Sequence, residues 1–200
     1  GPGPGEDGTA DAEAVAGADV VLLAVKPQDL PGVLTDIRPA AGRALFLSIA
    51  AGITSSFIER SLGGKARVMR AMPNLPAMAG EGVTALARGR YAGPKDVATA
   101  RGILQSVGTV IVVPEKKVNA VTAVSGSGPA YVFLFVEAMV RAARKLGFSE
   151  TEAGALVMQT LLGSAHLLAG GTDSAGVLRQ KVTSKGGTTQ AAMDVFMEKD

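Results

Sequence analysis

Asp19-Val-Val-Leu-Leu-Ala-Val-Lys-Pro27 is the stretch that decides the fold. Its apolar run is continuous and does not alternate with polar residues, which is typical of a strand buried on both faces. Pro27 ends the run because proline cannot donate to a sheet ladder. A second run of this kind, Ala44-Leu-Phe-Leu-Ser-Ile49, follows after a segment with helical character at 28–37. Two such strands with a helix between them predict a mostly parallel sheet.

The same alternation of strands and helices continues to Val113. Met72-Pro-Asn-Leu-Pro76 is expected to be irregular, since its two prolines disfavour regular structure. Further helices are predicted at 10–16, 54–62 and 94–107, and further strands at 66–70, 82–88 and 109–113. This pattern predicts an α/β, Rossmann-like domain over residues 9–113.

After Pro114 the pattern contains no further strand, so the predicted class is α/β followed by all-α. Ser149-Glu-Thr-Glu152 is a capping box at the start of one helix. Between Ala130 and Val140 apolar residues cover nearly the whole helix circumference, which requires burial on most sides. A helical domain of residues 114–200 offers little surface to cover them, so we expect a second subunit to do so. The predicted helices span 115–124, 130–146, 151–168, 174–183 and 188–198.

Composition excludes several classes of protein. The chain has 200 residues, 47% hydrophobic and 19% charged, and a net charge of +2, which predicts a globular protein that does not bind nucleic acid. It has no cysteine and one histidine, His166, so a thiolate or histidine-rich metal centre is excluded. The longest uncharged stretch, 118–136, contains Ser125-Gly-Ser-Gly-Pro129, which we expect to break it below the length of a membrane span. The expectation is a soluble, cytoplasmic protein without a secretory signal or a metal.

Three predicted strand ends carry small or imino residues together with a polar side chain. They are Val25-Lys-Pro27, Ala50-Ala-Gly52 and Met72-Pro-Asn74. Each alone is a common surface turn, but in a parallel sheet the carboxyl ends of the strands form the ligand-binding edge. Together they predict a binding groove.

A second candidate site is Val182-Thr-Ser-Lys-Gly-Gly-Thr-Thr-Gln190, which precedes a good helix-forming run. A Gly-Gly turn that opens a helix directs free backbone N–H groups at one point, where a phosphate or carboxylate can bind. The alternative is an ordinary capped turn between two helices. Acid, base and nucleophile sets are otherwise lacking, so an enzyme with this site would need a cofactor.

The motifs together resemble the pyrroline-5-carboxylate reductase family. The matching segments run in the family's order, and the last is close to the family's signature: Ala18-Asp-Val-Val-Leu-Leu-Ala-Val-Lys-Pro-Gln28, Arg70-Ala-Met-Pro-Asn-Leu-Pro76, Val124-Ser-Gly-Ser-Gly-Pro-Ala-Tyr131 and Ser184-Lys-Gly-Gly-Thr-Thr189. The resemblance implies reduction of 1-pyrroline-5-carboxylate to L-proline by hydride transfer from NADPH or NADH. It also implies a Rossmann domain followed by a helical domain that forms a homodimer, and the family often assembles such dimers into decamers of five dimers.

The resemblance also assigns roles to residues. Thr189 is the implied catalytic residue, with its hydroxyl at the ring nitrogen of the substrate. Val182 is implied to pack on the substrate ring, while the carboxylate is held by the turn. The implied substrate-binding residues are Val182, Ser184, Gly186, Gly187, Thr188 and Thr189, and the implied cofactor-binding residues are Ala24, Val25, Lys26, Pro27, Ala50, Ala51, Gly52 and Asn74.

The beginning of the chain departs from the family pattern. Gly1-Pro-Gly-Pro-Gly5 stands where the family has a strand and a glycine-rich dinucleotide fingerprint, so residues 1–8 are predicted to be a linker or an added sequence. The sheet domain is then a partial Rossmann-like domain, and we expect NADPH binding at least about tenfold weaker than in a complete reductase. Two alternatives stay open, a non-catalytic dimerisation fragment and a related small-acid reductase or dehydrogenase.

Overall fold

A five-stranded sheet forms the first part of the structure, which is a computed structural model that describes residues 8–198. The strands are β1 (Val20–Leu23), β2 (Leu45–Ser48), β3 (Arg67–Met72), β4 (Gly82–Arg88) and β5 (Gly108–Val112), and they lie in that order across the sheet. Only the β3–β4 pair is antiparallel. The predicted mostly parallel sheet is therefore confirmed.

Helices cover both faces of the sheet. They are α1 (Gly8–Val15), α2 (Leu30–Ile37), α3 (Ser55–Ser61) and α4 (Pro94–Leu104). One core contains Phe46 and Val68 with residues of α1, α2 and α3. The other core contains Leu47 and Met69 with residues of α4. Neighbouring residues of β2 and β3 thus point to opposite cores, as the pleat of a strand requires.

The expectation of burial on both faces is correct for β2 and wrong for β1. All four residues of β2 are buried, whereas the Leu22 side chain of β1 is 54% exposed. In the described sheet β1 is the first strand and pairs with β2. A strand with one neighbour has fewer elements packed over it, which is why the same apolar composition gives different burial.

The segment after β3 also differs from its prediction. Residues Leu75–Ala79 form a 3₁₀ helix, although two prolines were expected to prevent regular structure. Pro76 lies in its first turn, where the missing N–H has no intrahelical partner to lose. The helix ends at Gly80, whose φ of 76° is a left-handed conformation that glycine adopts at little cost.

Only helices follow β5 in the described chain, as predicted. A 3₁₀ turn (Glu115–Lys117) leads into α5 (Val118–Val121), a π turn (Thr122–Gly126) and α6 (Gly128–Lys145). The later helices are α7 (Glu150–Gly170), α8 (Ala175–Lys181) and α9 (Thr188–Met197). The chain packs as two compact units, the first extending to Val132 and the second beginning at Phe133.

The predicted capping box at the start of α7 is confirmed. The Ser149 hydroxyl accepts from the Glu152 N–H, and the Glu152 carboxylate accepts from the Ser149 N–H at 2.9 Å. The hydrogen bonds from the Ser149 hydroxyl and N–H lower the pKa of the Glu152 carboxyl from its usual 4.5. This contribution to stability is therefore present above that pH and is lost as the pH falls through the lowered pKa.

Two helical segments, Glu115–Lys145 and Glu150–Gly170, are long and apolar enough to cross a membrane by length and composition. The expected break at Ser125–Pro129 is therefore wrong, because the chain passes through it as a π turn and continues as a helix. Phe133, Leu134 and Phe135 are about half exposed or more in the single chain. This exposed apolar surface matches the sequence expectation of helices that a second subunit covers.

A charged side chain is buried within the first unit. Arg70 of β3 is 3% exposed. Its guanidinium donates to Asn119 Oδ1 at 2.8 Å and lies 3.5 Å from the Glu115 carboxylate. Glu115 in turn accepts from the backbone N–H of Ser55 at 2.7 Å and from its hydroxyl at 2.6 Å. One carboxylate thus joins β3, the start of α3 and the segment after β5.

Replacing Glu115 by alanine is expected to lower the free energy of unfolding of the first unit by about 3 kcal/mol. The reason is that the buried Arg70 charge loses its carboxylate and α3 loses two hydrogen bonds. Urea unfolding followed by tyrosine fluorescence measures this, since both tyrosines, Tyr91 and Tyr131, lie in this unit. Glu81→Ala, at an exposed carboxylate, is the matched control and should change stability by less than about 0.5 kcal/mol. Equal effects of the two substitutions would contradict the assigned role.

Candidate cofactor groove and anion-binding turn

The carboxyl ends of β1, β2 and β3 lie side by side at one edge of the sheet. Leu23 is level with Ser48 in the parallel register, and Ser48 is level with Arg70. The Ile49 N–H continues the ladder by donating to the Leu23 carbonyl at 3.1 Å. The segments that follow these three strands therefore leave the sheet from the same edge, as the sequence predicted.

The predicted cofactor-binding residues differ in exposure along this edge. Lys26 is exposed, and its backbone carbonyl accepts from the N–H groups of Asp29 and Leu30 at 3.0 and 3.2 Å, which starts α2. Gly52 has a φ of 77°, so glycine is favoured where the chain turns after β2. Ala24, Ala51 and Gly52 are exposed, Val25, Pro27 and Asn74 are half-buried, and Ala50 is buried. The edge is thus lined by small residues and by the exposed Lys26, while the cofactor role itself stays a prediction.

Asn74 uses its whole side-chain amide within the protein. Its Nδ2 donates to the Ser125 carbonyl at 3.1 Å, and its Oδ1 accepts from the Val83 N–H at 2.8 Å. Both ends of the amide already have partners, so its observed contacts are structural. The assignment of Asn74 to the cofactor stays a prediction.

The second site is the turn between α8 and α9. Its backbone reverses through Gly186, with a φ of 71°, and the Gly187 N–H donates to the Ser184 carbonyl at 3.0 Å. A Cβ added to Gly187 would lie 2.5 Å from Ser184 Oγ, which shows how closely that hydroxyl covers the turn. The conformation of the turn therefore favours glycine at 186, and at 187 a larger residue would require the Ser184 hydroxyl to move.

Gly187 is the N-cap of α9, and no side chain caps this end. The first N–H groups of a helix have no intrahelical acceptor, and the helix dipole adds partial positive charge there. Thr188 is exposed, and Thr189 and Gln190 are half-buried. Lys185 is an exposed cation in the same turn. This arrangement favours an anion and is open to solvent in the single chain.

Val182 ends α8 with its side chain 68% exposed, so it can contact a ligand. The Thr183 hydroxyl instead donates to the Arg179 carbonyl at 2.7 Å. Lys181 pairs with Asp173. The predicted substrate-binding residues 182, 184 and 186–189 thus lie in one continuous segment from the end of α8 to the first turn of α9, although their role in binding stays a prediction.

The described residues contain no group of three or more histidine, aspartate or glutamate side chains that could hold a metal ion. Sequence reasoning missed Glu115 and Ser55, which join segments 60 residues apart. No local pattern could have identified this pair, because the contact depends on the folded sheet.

Comparisons with known proteins agree with this arrangement. Residues 115–200 match the family model described as pyrroline-5-carboxylate reductase dimerisation, and residues 4–52 match that of NADP oxidoreductase coenzyme F420-dependent. The pyrroline-5-carboxylate reductase of Mycobacterium tuberculosis is 42% identical, with 92% of this chain and 71% of the relative aligned. The enzyme of that name from Synechocystis is 43% identical, with 92% and 68% aligned.

Solved structures give the same result. A pyrroline-5-carboxylate reductase from Coxiella burnetii has a TM-score of 0.86 and 38% identity, covering 94% of this chain and 71% of the other. The pyrroline carboxylate reductase of Plasmodium falciparum, solved with NADP bound, has a TM-score of 0.89 and 29% identity, covering 98% and 78%.

A partial Rossmann-like unit followed by a helical dimerisation region defines a two-part oxidoreductase. With relatives of at least 42% identity aligned over more than two thirds of their length, the particular family is clear. The chain belongs to the pyrroline-5-carboxylate reductase family.

Gly186→Ala is expected to destabilise the turn by about 1 kcal/mol, because an L side chain is strained at its positive φ. In a chain of this size the melting temperature should fall by roughly 3 °C, which differential scanning calorimetry measures. Gly176→Ala is the matched control, since Gly176 is helical and a Cβ there has room. It should leave the melting temperature unchanged or raise it slightly. A Gly186→Ala protein with the melting temperature of the wild type would contradict the role of the left-handed conformation at Gly186.

Proposed function

We propose that this chain reduces 1-pyrroline-5-carboxylate to L-proline with NAD(P)H. The observation that carries the proposal is the N-terminus of α9, which lies in the Ser184–Thr189 segment and has no side-chain cap, in a chain that belongs to this family. The relatives carry the name of this activity. The alternatives of a non-catalytic fragment and of a related small-acid reductase have no observation in their favour.

The turn supplies the groups that a small carboxylate needs. The free N–H groups at the start of α9 would donate to the carboxylate oxygens, assisted by the hydroxyls of Ser184 and Thr188. Thr189, one residue further into the helix, would place its hydroxyl at the ring nitrogen. Val182, exposed at the end of α8, would contact the apolar face of the ring.

The edge formed by β1, β2 and β3 fits the nicotinamide end of a dinucleotide. Ala51 and Gly52 are small and exposed, which leaves room for a flat ring beside the backbone, and the chain turns at Gly52, whose φ is 77°. The Lys26 side chain is exposed beside this edge and can contact a ribose or a phosphate. When bound, NAD(P)H supplies the hydride that the C=N carbon receives.

The protein's own contribution to the reaction is placement and charge. A cyclic imine whose nitrogen is protonated is already an electrophile, so it can accept hydride without a nucleophilic side chain or a covalent enzyme intermediate. The Thr189 hydroxyl holds the ring nitrogen, and the turn holds the carboxylate, which fixes the face of the C=N bond that is open to attack. Holding reactants in one orientation is itself a large source of rate enhancement. This fits the lack of an acid–base set in either candidate site.

The finer organisation is also proposed. We assign residues 9–113 to cofactor binding and residues 114–200 to dimerisation and substrate binding, which the family match from residue 115 supports. The exposed apolar side chains of α6 and α7 support a homodimer, and a decamer of five dimers is consistent with it. We place the enzyme in the cytoplasm, where a second subunit and not a bilayer covers these helices.

Thr189→Ala is expected to lower kcat about 100-fold while changing NADPH affinity less than twofold. A hydroxyl that orients the reacting nitrogen acts in the transition state, whereas the cofactor contacts lie in another part of the chain. Steady-state assays of proline formation and fluorescence titration with NADPH measure the two effects. Thr172→Ala, at an exposed threonine of the same unit, is the control and should behave like the wild type. Loss of NADPH affinity with kcat intact would contradict the division of roles.

Leu134→Glu is expected to convert the dimer to a monomer, because a carboxylate at this 60%-exposed apolar position cannot be buried against a partner. Size-exclusion chromatography with light scattering measures the mass. Lys145→Glu, on the polar side of the same helix, is the control and should remain dimeric. A wild-type monomer, or a dimer of Leu134→Glu, would contradict the proposed interface.

A further inference from the structure

Pro129 lies in the first turn of α6, directly after the π turn, and its lack of an N–H affects the Ser125 carbonyl of that preceding turn. In an α-helix the carbonyl of residue 125 accepts from the N–H of residue 129. Residue 129 is proline, which has no N–H, so the Ser125 carbonyl loses its intrahelical donor. The Ser125 hydroxyl does not replace it, because it donates to the Val121 carbonyl at 3.2 Å.

The backbone around this proline is rearranged. The Ser127 N–H donates to the Thr122 carbonyl, five residues back, at 2.8 Å, which makes the π turn. The Ala130 N–H then donates to the Ser127 carbonyl at 2.9 Å. Neither of these bonds uses the Ser125 carbonyl. Such π turns are rare and are frequently found at functional sites.

Asn74 supplies the donor that the helix lacks. Its Nδ2 lies 3.1 Å from the Ser125 carbonyl, while its Oδ1 accepts from the Val83 N–H at 2.8 Å. These two partners determine the orientation of the amide, since a carbonyl requires a donor and an N–H requires an acceptor. One side chain therefore joins the end of β3, the beginning of β4 and the π turn.

Packing at the same place is close. A Cβ added to Gly126 would lie 3.2 Å from Thr122 Cγ2 and 3.5 Å from Met72 Cε. Met72 is the last residue of β3. The Asn74 amide thus holds the π turn against the end of β3. Close packing at Gly126, which has no side chain, also holds it there.

We propose that Asn74 is a positioning residue, whose amide replaces the N–H that Pro129 lacks and so holds the start of α6 against the ends of β3 and β4. The kinetic part of this inference rests on the proposed function. In that function the cofactor lies at the sheet edge, and β3, one of its strands, ends two residues before Asn74. Loss of the Asn74 amide then loosens the end of β3 at this edge, which disturbs the placement of the bound nicotinamide more than the affinity for NADPH.

The test is a double-mutant cycle of Asn74→Ala and Pro129→Ala. Asn74→Ala should lower kcat about tenfold, as expected for a small misplacement of reactants, and change the dissociation constant of NADPH less than twofold. It should also lower the melting temperature by about 3 °C. Pro129→Ala restores an N–H at position 129 and should recover at least a third of both losses in the double variant, because the Ser125 carbonyl regains a donor.

The matched control is Asn119→Ala, which removes another side-chain amide of the first unit, the one that accepts from Arg70. Its effects should add to those of Pro129→Ala without recovery. If Asn74→Ala does not fold, Asn74→Asp keeps the acceptor for the Val83 N–H, removes the donor and places a carboxylate oxygen against the Ser125 carbonyl. It should show at least the kcat loss expected of Asn74→Ala, and Pro129→Ala should recover part of that loss.

Two results would overturn the inference. One is a double-mutant cycle in which the effects of the two substitutions add, so that Pro129→Ala recovers none of the loss in kcat or in melting temperature. The other is a tenfold weaker NADPH complex of Asn74→Ala with unchanged kcat, which would make Asn74 a cofactor ligand. A wild-type chain without turnover of pyrroline-5-carboxylate would count against the proposed function alone, since the melting temperatures test the Asn74–Ser125 contact independently of activity.

Discussion

The buried guanidinium of Arg70 is the constraint on which the first unit depends. A charge taken out of water inside a sheet is stable only with a carboxylate and hydrogen-bond acceptors around it. Glu115 and Asn119, both from the segment after β5, supply them. The same Glu115 carboxylate also binds the start of α3 through Ser55. The contacts that neutralise the Arg70 charge therefore join the sheet, α3 and the beginning of the helical region. Residues 115–132 accordingly belong to the first unit.

The stability of the helical region depends instead on what covers its apolar surface. Its helices are apolar around most of their circumference, and the single chain leaves many of these side chains exposed. By length and composition alone, two segments satisfy the requirement for a membrane span. The match of residues 115–200 to a family of dimerisation domains favours a protein partner. The turn after α8 is instead polar and rich in glycine, and its role in binding an anion is a proposal.

Much of the fold could be predicted from the sequence because its signals are local. Continuous apolar runs identified the strands, and the Ser149 capping box identified the start of α7 to the residue. The three strand ends were correctly expected at one edge, since parallel strands determine that geometry. The errors occurred where burial depends on neighbours, as for Leu22, or where a proline falls in a position that tolerates it, as for Pro76. The roles of Lys26, Asn74 and Thr189 in binding remain predictions.

By itself, the sequence determined the fold class, the order of the elements, the family and the two candidate binding segments, because each is encoded in residue type and spacing within a short window. Only the tertiary structure decided which partners the polar side chains find. Glu115 and Ser55 are 60 positions apart, and Asn74 and Ser125 are 51 apart. The sequence shows that position 129 has no backbone N–H, because the residue is proline. Which donor replaces that N–H depends on where the end of β3 lies in the fold. Hydrogen bonds between distant segments leave no periodic pattern in the sequence. For that reason these contacts could be identified only in the tertiary structure.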